Sequence, residues 1–378
     1  MKSLSCVTLC PLALLLLGCP TSDNTAARQL QNRPTTQEAA PTPRQDAPTR
    51  APLVARRREI MSTWFELKVA GADDAERAGA VLERALDEIA RVEAIVSEWQ
   101  PHTDVSRVNE AAGGDPVVVG PETLRLLRIG QEVSGWSEGA FDLTWAALRG
   151  LYRFDPNEPP AVPTQREIDA RRNLVDYRGV AINVDKRTIR LAKPGMAIGV
   201  GGIAKGYALD RVGEMLKSEG YPNYLLFAGG QVQVHGSRGA RPWRIGIKHP
   251  RDEQNHIGFF ELYEGSVSTS GDYEHYFLVG SDRYHHIIDP ATGRPANRSV
   301  AVTLITSQGA YADALSTACF VLGPARCLAF LARVKGHPQA LIIDPELRIH
   351  MTPGLKDKVV FNPPLEDGRL PPRTEVAR

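Results

Sequence analysis

Between residues 21 and 55 the chain is dominated by Pro, Thr, Gln and Ala, with Pro34, Pro41, Pro43, Pro48 and Pro52 spread along it. A stretch so poor in large apolar residues cannot bury enough surface to offset the entropy of ordering, so it is expected to be a partly extended tether. Arg56-Arg57-Arg58 closes it, read as a solvated charge run with weak attraction to anionic lipid as its functional option. Residues 19–58 are therefore assigned to the tether, and folding is confined to residues 59–361. The end, 362–378, is again rich in proline and charge and is expected to fray. With 42% hydrophobic and 24% charged residues, the chain as a whole is not a disordered one. Lys and Arg number 45 against 44 Asp and Glu, so there is no basic excess and no nucleic acid partner is expected.

Residues 1–18 read as a signal peptide. Lys2 supplies the positive end, and the apolar run 4–17 is too short to span a bilayer comfortably. The run ends in Leu16-Leu17-Gly18-Cys19, which resembles a bacterial lipobox, where cleavage precedes the cysteine and its thiol carries lipid. A secretory signal cut elsewhere, or a core helix, is the alternative. The lipobox reading places the chain in the bacterial cell envelope, anchored through Cys19 on the periplasmic side of a membrane. Pro20, standing where a retention aspartate would, favours the outer membrane. Cys6, Cys10 and Cys19 belong to this segment, which leaves Cys319 and Cys327 for the body. On one helix those two lie about 12 Å apart, too far for a bridge. Pairing requires Gly323-Pro324 to break the helix.

The body mixes helical and strand periodicities. Asp73 is placed to cap a helix whose inward positions are Val81, Leu82, Ala85, Ile89, Val92 and Val96. Further helices are expected at 122–134, 204–219, 308–321 and 325–334. Strands are expected at 64–69, 189–191, 224–228, 244–248, 284–288, 300–306 and 340–344. Without a regular βαβ alternation or a fixed-period repeat, the fold class is α+β, a single large mixed body rather than a doubly wound sheet.

Several segments carry chemistry. Gly199-Val200-Gly201-Gly202-Ile203-Ala204-Lys205-Gly206 opens a helix, but the acidic residue that a dinucleotide fold needs after the next strand is replaced by Gly229-Gly230. What remains is close backbone approach to a ligand beside the charge of Lys205, or else a tight turn with a solvated lysine. Asp313 and Thr317, four apart, set a carboxylate and a hydroxyl on one helix face, hard oxygens that suit Mg²⁺, although such pairs also serve as surface or capping groups. Residues 266–273 read as a hydroxyl-rich turn without the Gly-x-Ser-x-Gly elbow of a serine hydrolase. His285 and His286 point to opposite faces of a strand, so a single histidine base, or a structural one, is expected there and not a two-histidine metal site. Gly139-Ala140-Phe141-Asp142 is a backbone-approach segment ending in a carboxylate. Trp99 offers either core packing or a stacking face.

Taken in order, these segments resemble the FAD:protein FMN transferase family, also called the ApbE family. The matches are residues 61–63, 97–109, 139–144, 201–210, 228–230, 268–273, 286–295 and 312–322, and the resemblance spans about 61–347. It implies the family's own α+β fold and FAD as substrate. Met61, Trp99, Ala140, Phe141, Asp142, Lys205 and Ile288 fall where the family contacts FAD. Asp313 and Thr317 fall at its Mg²⁺ ligands, with Gly202 giving a backbone carbonyl, and His286 sits at the reacting centre as the candidate base. The implied reaction is Mg²⁺-dependent transfer of FMN from FAD to a Thr or Ser hydroxyl of an exported acceptor protein, releasing AMP. With water as acceptor, the same site hydrolyses FAD to FMN and AMP; a flavin-binding lipoprotein with little catalysis is a third option. Two positions depart from the family pattern: Gly199 replaces an aspartate, and Ser316 stands where some members have another acidic metal ligand.

Overall fold

A computed structural model of the chain describes residues 50–154, 159–365 and 367–370. The signal segment, Cys19 and the tether to residue 49 lie outside the described residues, as does 371–378. The described residues belong to one compact unit.

Its spine is an eight-stranded sheet whose spatial order is its chain order. The strands are β1 (Leu53–Ile60), β2 (Thr63–Ala70), β3 (Tyr224–Ala228), β4 (Gln231–His235), β5 (Glu264–Gly271), β6 (Ala301–Thr306), β7 (Gln339–Ile343) and β8 (Ile349–Met351). Every neighbouring pair is antiparallel. Successive side chains leave a strand on opposite faces, and the core divides accordingly. Val302, Leu304, Ala340 and Ile342 join the cluster formed with the helices. Ala301, Leu341 and Ile343 face the other way, onto Trp243, Ile245, Ile247, Ile257 and Phe260 of a small three-stranded sheet.

The insertion between β2 and β3 carries α1 (Ala75–Val96), α2 (Asp104–Glu110), α3 (Pro121–Trp136), α4 (Gln165–Arg172) and α5 (Ala204–Ser218). The connection from β6 to β7 carries α6 (Gly309–Leu322) and α7 (Pro324–Leu331). All six expected inward positions of α1 are buried, and Asp74, not Asp73, caps it by accepting the Arg77 N–H at 2.9 Å. Among the described residues no helix is long and apolar enough to cross a membrane. The mixed helix-and-sheet class expected from the sequence is the class found.

Further expectations are corrected. Arg56 to Arg58 belong not to the tether but to β1, whose edge position suits charge: Arg56 and Arg58 bridge to Glu83 of α1, and Arg57 lies over the Trp64 ring. Residues 266–270 are not a turn but part of β5, paired to β6 throughout and to β4 as far as Ser268. The strand expected at 284–288 breaks after His285. Cys319 and Cys327 form a disulfide, Cα atoms 4.8 Å apart, because α6 stops at Leu322 and Gly323, at φ 77°, turns the chain into α7. Order also continues past residue 361: Leu370 is buried, and Arg369 bridges to Arg348.

Candidate functional site

The glycine-rich turn is fixed from outside at three successive amides. The Asn109 side-chain amide accepts the Ile198 N–H at 2.6 Å and donates back to the Ile198 carbonyl at 2.9 Å. The Gly199 N–H donates to the Leu143 carbonyl at 2.8 Å, and the Val200 N–H to Glu98 Oε2 at 2.7 Å. Helix α5 then starts at Ala204 with no side-chain cap, and the turn closes on itself through the Ile203 and Ala204 N–H groups, which both donate to the Val200 carbonyl at 3.0 and 2.9 Å.

The first turn of α5 meets α6. Gly206 N–H donates to Asp313 Oδ2 at 3.2 Å, and in return Asp210 of α5 accepts the Gly309 and Ala310 N–H groups of α6 at 2.6 and 3.0 Å. Burial pushes the Asp210 carboxyl up to about 6, against the pull of those two amides. Asp210 lies in a matched segment but had no assigned role; its contribution is to fix where α6 begins, and hence where Asp313 sits.

Lys205 Nζ donates to the Gly201 carbonyl at 3.0 Å and lies 3.7 Å from Asp313 Oδ2. A Cβ on Gly202 would sit 3.6 Å from Thr317 Oγ1 and 3.2 Å from the Phe141 ring. Gly202, Lys205, Asp313, Thr317 and Phe141 therefore converge. Around Thr317, Ser270 of β5 places its hydroxyl 3.5 Å from Oγ1 and 2.9 Å from that of Ser316. Ser316 is fully buried and bonded to Ser268 and to the Asp313 carbonyl, a filler that could not be charged without partners.

Among the described residues there is no group of three or more His, Cys, Asp or Glu able to hold a metal. One carboxylate, one hydroxyl and a backbone carbonyl make a sparse oxygen set, which fits a Mg²⁺ ion that keeps positions for phosphate and water and does not fit an all-protein cage.

The two histidines separate cleanly. His285 is buried with Nε2 2.8 Å from the Ala296 carbonyl, a structural histidine, and burial lowers its pKa. The His286 N–H donates to the His275 carbonyl at 3.1 Å, and among the described residues its buried Nδ1 has no hydrogen-bond partner. Burial first, then the neighbouring His275 and His285 rings, push the His286 imidazole down to about 3 against the opposing pull of the His275 backbone, so it is neutral.

The remaining sequence candidates are placed differently. Both Asp142 oxygens are engaged within the chain, Oδ1 by the Thr144 N–H and hydroxyl and Oδ2 by the Tyr177 N–H. Ala140 follows Gly139, at φ 83°, in the turn that delivers Phe141. Met61 occupies the β1–β2 turn with Ser62, both at positive φ. That turn abuts Gly229, whose Cβ would meet Thr63 Oγ1 at 2.5 Å. Ile288 packs on the satellite cluster of Leu148, Tyr152 and Ile168. Trp99 is 70% exposed, with the Arg149 guanidinium 4.0 Å from its ring centre.

Residues 61–342 match the model of the ApbE family. The FAD:protein FMN transferase of Vibrio cholerae serotype O1 is 33% identical over 290 residues, covering 75% of this chain and 85% of that protein. The FAD:protein FMN transferase of Treponema pallidum is 30% identical, covering 79% and 87%. Among solved structures, the ApbE protein of Thermotoga maritima superposes with a TM-score of 0.74 at 31% identity, covering 81% of this chain and 99% of that one. The flavin transferase ApbE of Vibrio cholerae gives 0.70 at 29%, covering 82% and 99%.

Proposed function

The chain belongs to the ApbE family, and from that premise we propose that it is an FAD:protein FMN transferase. The observation that carries the reading is the meeting of the α5 turn and α6, which brings Lys205 within 3.7 Å of Asp313 and Gly202 beside Thr317. FAD is the substrate, with its diphosphate at this junction. A Thr or Ser hydroxyl of the acceptor attacks the FMN phosphorus, the bond to AMP breaks, and FMN stays on the acceptor through a phosphoester.

Each side chain then has a task. Lys205, steered by the Gly201 carbonyl and Asp313, offsets charge developing on the phosphates, where catalysis of phosphoryl transfer chiefly acts. His286, neutral and with an uncommitted Nδ1, accepts the hydroxyl proton as the oxygen attacks. Asp142 acts by capping the helical turn that follows Phe141 and tying it to the Tyr177 amide. Trp99 offers a ring face for stacking. Asp313, Thr317 and the Gly202 carbonyl hold Mg²⁺, which when bound supplies Lewis-acid stabilisation of the phosphoryl oxygens.

Cys19, in its lipobox-like setting, carries the lipid anchor and places the enzyme on the periplasmic side of a membrane, with the outer membrane favoured by Pro20. The Cys319–Cys327 disulfide suits that oxidising compartment.

Incubating the protein with FAD, Mg²⁺ and a threonine-bearing acceptor tests the function. Covalent flavin fluorescence on the denatured acceptor, matched by AMP release, is expected. AMP without labelling would replace the transferase reading by FAD hydrolysis, and FAD bound but unchanged would leave only a flavin carrier.

A further inference from the structure

The family motif begins with an aspartate where this chain has Gly199, and the structure leaves no room for a side chain there. A Cβ on Gly199 would lie 2.7 Å from Nε1 of Trp145, and further indole carbons lie within 3.0 Å. The indole fills the place of the missing carboxylate.

A carboxylate reaches the same turn from another element. Glu98 lies just after α1, its side chain only 3% exposed. Oε2 accepts the Val200 N–H at 2.7 Å, one residue along from Gly199. Oε1 is 3.1 Å from Nη2 of Arg149 and would be 3.9 Å from a Cβ on Gly201. Arg149 lays its guanidinium over Trp99, ring centre 4.0 Å away, and stands 5.9 Å from the centre of Trp145. A buried carboxylate is costly unless paired and hydrogen-bonded. Burial does raise the Glu98 pKa, and the Val200 amide and Arg149 pull it back down. Glu98 thus joins the glycine-rich turn to the Arg149–Trp99 stack, two elements about a hundred residues apart.

We propose that Glu98 is a positioning residue for FAD, supplying from the loop after α1 the carboxylate that Gly199 withholds. It fixes the Val200 amide, and through Arg149 it backs one face of Trp99 so that the other is presented to the ligand. This rests on the reading of FAD as the substrate of this site.

The test is FAD affinity, followed by quenching of flavin fluorescence in Mg²⁺ on the full chain, together with kcat and KM for FMN transfer. Glu98→Ala loses both links, and the Kd and KM for FAD are expected to rise about tenfold or more, the scale of a lost supporting contact, with kcat at saturating FAD changed less than about threefold. Glu98→Gln keeps an oxygen for the Val200 amide and loses the charge on Arg149, so an intermediate loss is expected, and adding Arg149→Ala to it should cost little more. The glutamine variant also carries the test should the alanine variant fail to fold. Unchanged FAD affinity in folded Glu98→Ala, or a fall in kcat with KM intact, would overturn the inference alone. A wild-type chain that does not bind FAD would overturn the functional reading and this inference with it.

Discussion

Gly206 in the first turn of α5 and Gly309 at the start of α6 face each other backbone to backbone: a Cβ on either one would run into the carbonyl oxygen of the other. This contact puts Asp313 on the Gly206 amide and Asp210 on the Gly309 and Ala310 amides, so each helix supplies a carboxylate to the first turn of the other. The geometry of the candidate site is therefore set by two residues that carry no side chain.

Gly206→Ala is expected to force the helices apart, at a cost of about 1–3 kcal/mol in stability from overpacking. The shift also separates Lys205 from Asp313, so FMN transfer should fall further than the lost stability explains. Denaturant unfolding and transfer rate measured on the same variant check this. Wild-type stability with wild-type activity would mean that the contact relaxes without consequence.

Gly199→Asp, the change that brings the turn nearest to the family pattern, is expected to harm this chain. The new side chain has to displace the Trp145 indole 2.7 Å away, and the Leu143 carbonyl that holds the Gly199 amide belongs to the same segment. Loss of about 1–3 kcal/mol is expected for the single variant, with partial recovery when Trp145→Ala makes space. Thermal unfolding of the two variants side by side decides it. A stabilised single variant would show that the indole moves freely.

How much of this was legible beforehand depends on the range of the interaction. The Asp313/Thr317 pair could be read because both groups lie on one helix turn, and α1 could be read because burial follows its own periodicity. Residues 266–270 could not, because Ser and Thr on a local scale favour turns. In the fold the hydroxyls of Ser268, Thr269 and Ser270 face Ser316, Thr317 and Thr303, and pairing to β4 and β6 decides the conformation. Asp210 and Glu98 were opaque for the same reason, since each serves a backbone amide about a hundred residues away. The disulfide depended on a helix break that Gly323 completes only in three dimensions.

Removing either proposed metal-binding side chain should silence the reaction at the phosphates. Asp313→Ala is expected to lower Mg²⁺-dependent transfer about a hundredfold or more, the rate equivalent of several kcal/mol of charge stabilisation. Thr317→Val keeps the shape, removes the hydroxyl and should raise the Mg²⁺ concentration needed for half-maximal rate. Chelation by EDTA should abolish transfer and added Mg²⁺ restore it. Full activity of Asp313→Ala in EDTA would remove the metal from this site.

The Cys319–Cys327 bridge closes a separation of eight residues at the α6–α7 turn. Chain entropy alone gives a loop of that size about 2.5 kcal/mol. Replacing both cysteines by serine should therefore lower the unfolding free energy by about that amount or somewhat more, since Cys319 and Cys327 are fully buried. Because Asp313 is anchored at the opposite end of α6 by Gly206, the KM for FAD should change little. A large loss of FAD affinity with intact stability would place the bridge, unexpectedly, in control of the site.

His286 gives a pH dependence with a defined sign. Its imidazole is held at about 3 by burial, against 6.5 for the ordinary group. Between those two values the unfolded chain binds a proton that the folded chain does not, so stability rises with pH across that window. Acidification from pH 6.5 should thus weaken the fold progressively, and His286→Asn, which has no proton to bind, should show a shallower decline. His285 remains in that variant and keeps its own share of the slope, since burial depresses it too. The same neutrality bears on the reaction: kcat/KM reports groups of the free enzyme, so no inflection from this histidine is expected near 6.5. Denaturant midpoints of both proteins at pH 7.5 and 5, beside the pH profile of kcat/KM, provide the measurement. Identical slopes for the two proteins, or an inflection near 6.5 that vanishes in His286→Asn, would show that the imidazole titrates as if in water and would remove the physical basis for its uncommitted, neutral state.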